Sequence, residues 1–340
     1  MNRNTVNGTI ISIVIALSLY TIYTQFKSVY DYGGDYLSTE EQNRHSVIIN
    51  GTAPIPYRYR ILTQWVYELW RQPFRPLADK YINVPNVFKA QSANLRLDHW
   101  ISWLTFRIVQ NVIIFWLAFL YFRTFGLSRN YVIMGLIMLA WGISHSYHHS
   151  SLSAYTYTDI IFYLLASLWI RKDKLAYLVP LTFFAALNRE TSIFIPLMLL
   201  CMDNFKEQKR RNILYLAITM STWVSVYVGL RLVLGLSSYV DSGYGPIMPG
   251  FMLAYLNFIN DWTWKGLAEM FHVLLCAVFF IRLWPDFLAK CLYFIVLPWT
   301  VLMFFFGSTS ETRLFLVPLV TVFIPAGLIV IRDFNKQDVS

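Results

Sequence analysis

The stretch SVYDYGGDYLSTEEQNRHSVIINGTAPIPYRYR, Ser28 to Arg60, sets Asp31, Asp35, Glu40, Glu41, His45, Arg58 and Arg60 directly behind the first hydrophobic segment. Only 14% of the 340 residues are charged, so this concentration beside an apolar run reads as a site rather than a solubilising loop. Carboxylates there can take a proton from a hydroxyl, and arginines can grip a phosphate through paired, charge-assisted hydrogen bonds. More such groups follow: Asp159, the run Asn188, Arg189, Glu190, and Glu311 with Arg313. Arg107, Gln110 and Asn111 stand at i, i+3 and i+4, on one helix face that lipid will not tolerate. A membrane site holding carboxylates and arginines together suits a lipid-linked phosphate. The plainer alternative is pairing into structural clamps, Arg189 with Glu190 or Asp159, and Glu311 with Arg313 or Arg107.

His145, His148 and His149 form an HxxHH pattern that could supply metal ligands, with Asp159 nearby. A polar interfacial loop explains the same residues without a metal. A divalent metal is therefore not favoured, and no metal ligand or cofactor is assigned.

These groups need apolar elements to position them. The chain is 56% hydrophobic and 18% aromatic, with a mean hydropathy of +0.47, which excludes an ordinary soluble domain. The expected fold is an all-α polytopic membrane protein forming a single transmembrane domain over 1–340, with about 8–10 transmembrane or re-entrant helices. Candidate spans are Thr9 to Phe26, Trp100 to Phe122, Tyr131 to Ser144, Thr156 to Ile170, Leu175 to Leu187, Thr191 to Met202, Ile213 to Leu234, Gly266 to Ile281, Phe287 to Phe306 and Leu314 to Ile331. The first follows a single basic residue, Arg3, and precedes no small-x-small cleavage pattern, so it reads as a retained helix.

The net charge of +9 comes from basic residues spread over short loops, so topology explains it better than a nucleic-acid partner does. Cys201, Cys276 and Cys291 lie in or beside apolar segments without paired spacing, and support neither disulfides nor zinc. Arg123 and Arg129, then Arg171, Lys172 and Lys174, then Lys206, Lys209, Arg210 and Arg211 mark three connections as cytoplasmic. The Arg282 connection and the Arg332, Lys336 tail join them. HSYHHSSLSAYTYT, the interior of the Gly235 to Trp264 connection and GSTSE carry no Lys or Arg, and fall outside. Both termini are then cytoplasmic, and residues 28–98 form a long extracytoplasmic first loop.

Leu175 to Leu187 and Thr191 to Met202 are too short to cross singly and are flanked by cytoplasmic charge. They read as a helical hairpin, 175–202, that rises part-way and returns, with Asn188, Arg189 and Glu190 at its turn. In the first loop, TQWVYELWRQPF suggests a helix lying in the interface plane.

An acidic motif, DYGGDY, behind a first helix, then Gly51 to Leu62 with its YRYR run, resembles the integral-membrane glycosyltransferases of the GT-C superfamily. LNRETSIFIP (Leu187 to Pro196) and SETRLFLVPL (Ser310 to Leu319) look like the R-E and late E-x-R segments of many bacterial members. The resemblance implies a GT-C-like bundle in a bacterial inner membrane. The reaction it implies is inverting transfer of a sugar from a polyprenyl-phosphate donor to a glycan, lipid or protein acceptor on the extracytoplasmic face. It makes Asp35 the base, with Asp31 as the alternative, because the adjacent acidic pair of the commonest members is absent. It makes Arg58, Arg60, Arg189 and Arg313 the donor-phosphate ligands. Tyr57, Arg107, His148, His149, Asp159, Glu190 and Glu311 support the substrate, and membrane lipids surround it. A polysaccharide polymerase or ligase, or a secondary transporter, would also use a charged membrane cavity.

Overall fold

The computed structural model describes residues 3–32, 41–53, 57–86, 91–146, 154–235, 250–307 and 312–337. Five of its helices are long and apolar enough to cross a membrane: Gly8–Gln25 within α1 (Arg3–Tyr32), α4 (Leu97–Arg123), α9 (Lys209–Leu234), Asp286–Phe306 and Thr312–Lys336. A bent pair, Thr263–Phe271 with Leu274–Leu283, adds a sixth if it counts as one span. Length and composition thus make this a multi-pass membrane protein. Two further helices, α5 (Arg129–His145) and α6 (Ala154–Arg171), stand among them with 17 and 18 residues.

The last span is the most enclosed, with 94% of its apolar window buried, and α5 lies close against it. A Cβ on Gly142 would clash with Leu319 Cδ2, and one on Gly135 would meet Leu328 Cδ1 at 2.7 Å. The missing Cβ atoms let Leu319 and Leu328 of the last span pack directly onto α5, which strengthens dispersion contacts where no water drives association.

Contacts between segment ends sort the bundle into two ends. At one, Arg171 pairs with Asp203 and Arg211 with Asp173. Arg332 donates to the Phe125 carbonyl, and Asn335 to the Tyr131 hydroxyl. Basic residues crowd this end. At the other, Thr24 bonds Ser144, Gln25 bonds Tyr157, and Arg58 reaches the Leu234 carbonyl.

The segment after α6 shows how the ends are linked. From Lys174, α7 (Leu178–Asn188) runs back along α6 until Asn188 meets Tyr155 and Asp159 near the start of α6. Backbone extended at Arg189 (φ −163°, ψ 147°) reverses the chain. The return limb, Glu190–Cys201, has α8 (Phe194–Leu197) between tighter turns and ends beside Asp203, again at Arg171. Asn188, Arg189 and Glu190 are therefore carried up the bundle and held inside it.

The first loop holds α2 (Glu41–Ile49), α3 (Ile61–Arg71) and an antiparallel hairpin of β1 (Tyr81–Asn86) and β2 (Gln91–Arg96). This hairpin is the departure, among the described residues, from an all-helical chain. Both its strands are edges, which lets Pro85 sit in one without breaking a ladder on two sides.

A tight ionic clamp fastens this loop to α4. Asp98, fully buried in the first turn of α4, accepts from Arg71 at 2.7 and 2.8 Å and from Arg96 at 3.2 Å. Glu68 accepts from Arg75, from Arg71 at 3.2 Å and from His45 at 2.8 Å, while the other ring nitrogen of His45 lies 2.7 Å from Gln64. Burial alone would raise the Glu68 pKa, but the hydrogen bonds from Arg75 and His45 and the Arg71 charge outweigh it and hold the pKa at about 2, below the usual 4.5. A carboxylate with a lowered folded pKa stabilises the fold fully above its unfolded value and loses that contribution as pH falls towards the folded one. Thermal midpoints in detergent should therefore fall between pH 4.5 and about 2 more steeply for wild type than for Glu68→Gln. Parallel curves would remove Glu68 from the clamp.

Candidate functional site

A second polar cluster lies where α3, α4, α6 and the hairpin tip converge, and it is built differently. α6 supplies Tyr155, Thr158 and Asp159 within about one turn of each other, so their side chains share the space facing the tip. Asn188 Nδ2 donates to the Tyr155 carbonyl at 2.9 Å and to Asp159 Oδ1 at 2.6 Å, and its Oδ1 accepts from the Thr63 hydroxyl of α3. Thr63 also bonds Thr158 at 2.9 Å, Thr158 accepts from Gln110 at 3.0 Å, and Gln110 accepts from Arg107 at 3.1 Å. One continuous hydrogen-bonded chain thus crosses four elements. Every carbonyl and amide it uses would otherwise be buried at a cost.

Two ion pairs stand on this base. Arg189 Nη1 is 3.3 Å from Asp159 Oδ2, and Arg60 Nε is 3.5 Å from Glu190 Oε2. The Tyr155 ring lies beside both guanidinium groups, 4.9 Å from that of Arg60 and 5.7 Å from that of Arg189. Asp159 is 1% exposed and Arg189 7%. These pairs are long beside the 2.7 Å contacts of the clamp, and they leave capacity unused: Arg189 Nε and Glu190 Oε1 are buried without a hydrogen-bond partner among the described residues. The contrast in length and saturation separates a fastening from a site that can take another polar group.

Arg107 is fully buried. Its guanidinium covers the Tyr157 ring at 3.8 Å, and Gln25 of α1 bonds the hydroxyl of that ring. Asn111, one turn along, bonds Thr21 of α1 at 2.9 Å. The polar face of α4 therefore points into the bundle, where α1 answers it with its own Thr21 and Gln25.

Arg60, Arg107, Asp159, Arg189 and Glu190 come together here. Arg58 does not join them. Successive residues of the Tyr57–Tyr59 turn diverge, and Arg58 donates to the carbonyls of Ala53 and Leu234. Arg313 is buried in the Thr312–Phe315 turn that opens the last span. Asp31 stands in the last turn of α1, and Tyr57 begins the turn leading to Arg60. Asp35, His148, His149 and Glu311 lie outside the described residues. His145 is 3.5 Å from Glu269, and among the described residues no group of three or more His, Cys, Asp or Glu could hold a metal.

Sequence reasoning passed over Thr63, Thr158 and Tyr155, which carry no charge to attract notice. It also passed over Trp223, Tyr227 and Arg231 of α9, whose i, i+4, i+8 spacing is a readable stripe. Trp223 stacks on Tyr227 at 4.6 Å and donates to Ser192 just past the hairpin tip.

Compared with family models, with curated proteins and with solved structures, the chain has no match in any of the three.

Proposed function

We propose that the protein is a membrane glycosyltransferase of the GT-C kind, taking a sugar from a polyprenyl-phosphate donor at the end of the bundle that carries the first loop. The observation that carries this reading is the pair of loose, incompletely saturated ion pairs at the hairpin tip, Arg189 with Asp159, which is buried, and Arg60 with Glu190, which is partly exposed. A phosphate oxyanion suits that place. It can accept from guanidinium edges that the carboxylates hold at more than 3 Å, at a depth where a lipid tail can lie among apolar helices.

The basic residues of the short connections at the opposite end support a cytoplasmic position for that end under the positive-inside rule, and so an extracytoplasmic site; the resemblance to GT-C members adds a bacterial inner membrane. Both termini then face the cytoplasm. α5, α6 and the hairpin count with the longer spans towards the bundle.

In the reaction, Asp35, or Asp31 in its place, takes the proton of the acceptor hydroxyl as the acceptor oxygen attacks the anomeric carbon from the face opposite the phosphate. The bond from that carbon to the phosphate oxygen breaks, and both its electrons leave with polyprenyl phosphate. Arg60 and Arg189 stabilise the charge that develops on the leaving oxygen, so no acid is needed on that side. Asn188, Thr63 and Thr158 keep the two arginines in register. The test is incubation of the purified protein with a panel of radiolabelled polyprenyl-phosphate sugars. Transfer from one of them supports the reading; substrate uptake into liposomes without transfer from any would make the charged cavity a transport site.

A further inference from the structure

Arg231 is a second arginine built to meet an anion, in a place the transferase reading does not use. Its guanidinium lies over two rings, 3.4 Å from the centroid of Tyr227 and 4.4 Å from that of Tyr59. The two aromatic contacts restrict the cation and leave N–H groups for hydrogen bonding. Of its five N–H donors, one is used among the described residues, Nη1 to the Tyr227 carbonyl at 3.2 Å. Among the described residues no carboxylate pairs with it.

A cation in the last turn of a helix commonly complements the free carbonyls there. That work is already done at this end. Arg58 donates to the Leu234 carbonyl at 3.3 Å and the Tyr59 hydroxyl to that of Gly235 at 2.9 Å, so the first loop caps α9 and leaves Arg231 its edge.

Depth identifies the anion. α9 has 26 residues, about 39 Å of helix against roughly 30 Å of hydrocarbon, so its last turn reaches the headgroup layer. Leu232 and Val233 beside Arg231 are 71% and 82% exposed, as suits a lipid-facing end. The anion abundant at that level is lipid phosphate, and a planar, pre-oriented guanidinium edge matches two of its oxygens.

We propose that Arg231, held against Tyr59 and Tyr227, binds the phosphate oxyanion of a lipid headgroup at this end of α9. The site is separate from the hairpin tip and does not depend on sugar transfer. The phosphate is that of a bilayer phospholipid, the hairpin tip being the place proposed for polyprenyl phosphate.

Native mass spectrometry of the full-length protein, delipidated and then given phosphatidylglycerol or diacylglycerol with the same chains, tests it. Wild type should retain phosphatidylglycerol about tenfold more than diacylglycerol, the size expected of a charge-assisted pair. Arg231→Gln should lose the preference, while an Asp159→Asn, Arg189→Gln double variant keeps it. Arg231→Lys, which keeps the charge but not the planar stack, should lose about half of it on a logarithmic scale. Equal retention of the two lipids by wild type, or an unchanged preference in Arg231→Gln or Arg231→Lys, would overturn the proposal.

Discussion

Replacing Arg189 with alanine is expected to cost about 3–5 kcal/mol of stability, because it strands the Asp159 carboxylate in a site where 1% of the residue is exposed. The neighbouring Asn188 amide keeps one bond to Asp159 Oδ1 at 2.6 Å, but an amide does not replace a counter-charge. Neutralising both partners removes the difficulty. Asp159→Asn with Arg189→Gln keeps an oxygen for Asn188 and a donor for residue 159, so it should recover most of the loss. Thermal midpoints of wild type, Arg189→Ala and the double variant in one detergent measure this directly. A double variant as unstable as the single one would show that Arg189 matters for shape rather than for its charge.

Replacing Asp35 with asparagine is expected to leave the fold intact and to reduce sugar transfer by roughly 10²–10⁴-fold, the usual contribution of a positioned general base. The substitution is nearly isosteric and removes only the capacity to take a proton. Donor binding should change little, because the proposed phosphate site is Arg60 and Arg189 and not the first-loop acid. If Asp35→Asn retains full transfer, the role passes to Asp31, and the same comparison on Asp31→Asn decides it.

The positions of the spans were legible in the sequence because hydrophobic length is a local property. Five of the ten candidate segments are helices long and apolar enough to cross, Gly266 to Ile281 is bent by 60°, and the two limbs of the hairpin are short helices; α5 and α6 have only 17 and 18 residues. The polar face of α4 was legible for a similar reason: the spacing of Arg107, Gln110 and Asn111 needs only one helix. Partners were harder. Arg189 and Glu190 were singled out as a group, but the sequence left open whether Arg189 would face Asp159 or Glu190. The chain reversal decides it, turning Arg189 to α6 and Glu190 to Arg60.

Least legible was the first loop. Its clamp joins His45, Glu68, Arg71 and Asp98 across three separate elements, and only tertiary packing brings them within 3.2 Å. The divergence of Arg58 from Arg60 was hidden as well, because a tight turn points neighbouring side chains to different places. The β hairpin gave no signal that could be read, since Asn83, Pro85, Asn86 and Asn94 are residues that strands usually avoid.

The most direct measurement of the hairpin-tip site compares polyprenyl phosphate with polyprenol of the same length, binding to wild type and to the Asp159→Asn, Arg189→Gln double variant. A phosphate gripped by this cluster should raise wild-type affinity at least about tenfold over the alcohol, and the double variant by less than about twofold. Arg231→Gln, run beside them, should keep the wild-type preference, because it acts at the end of α9 and not at the hairpin tip. A double variant that is folded and still prefers the phosphate as strongly as wild type would contradict the assignment of the hairpin tip as the donor site.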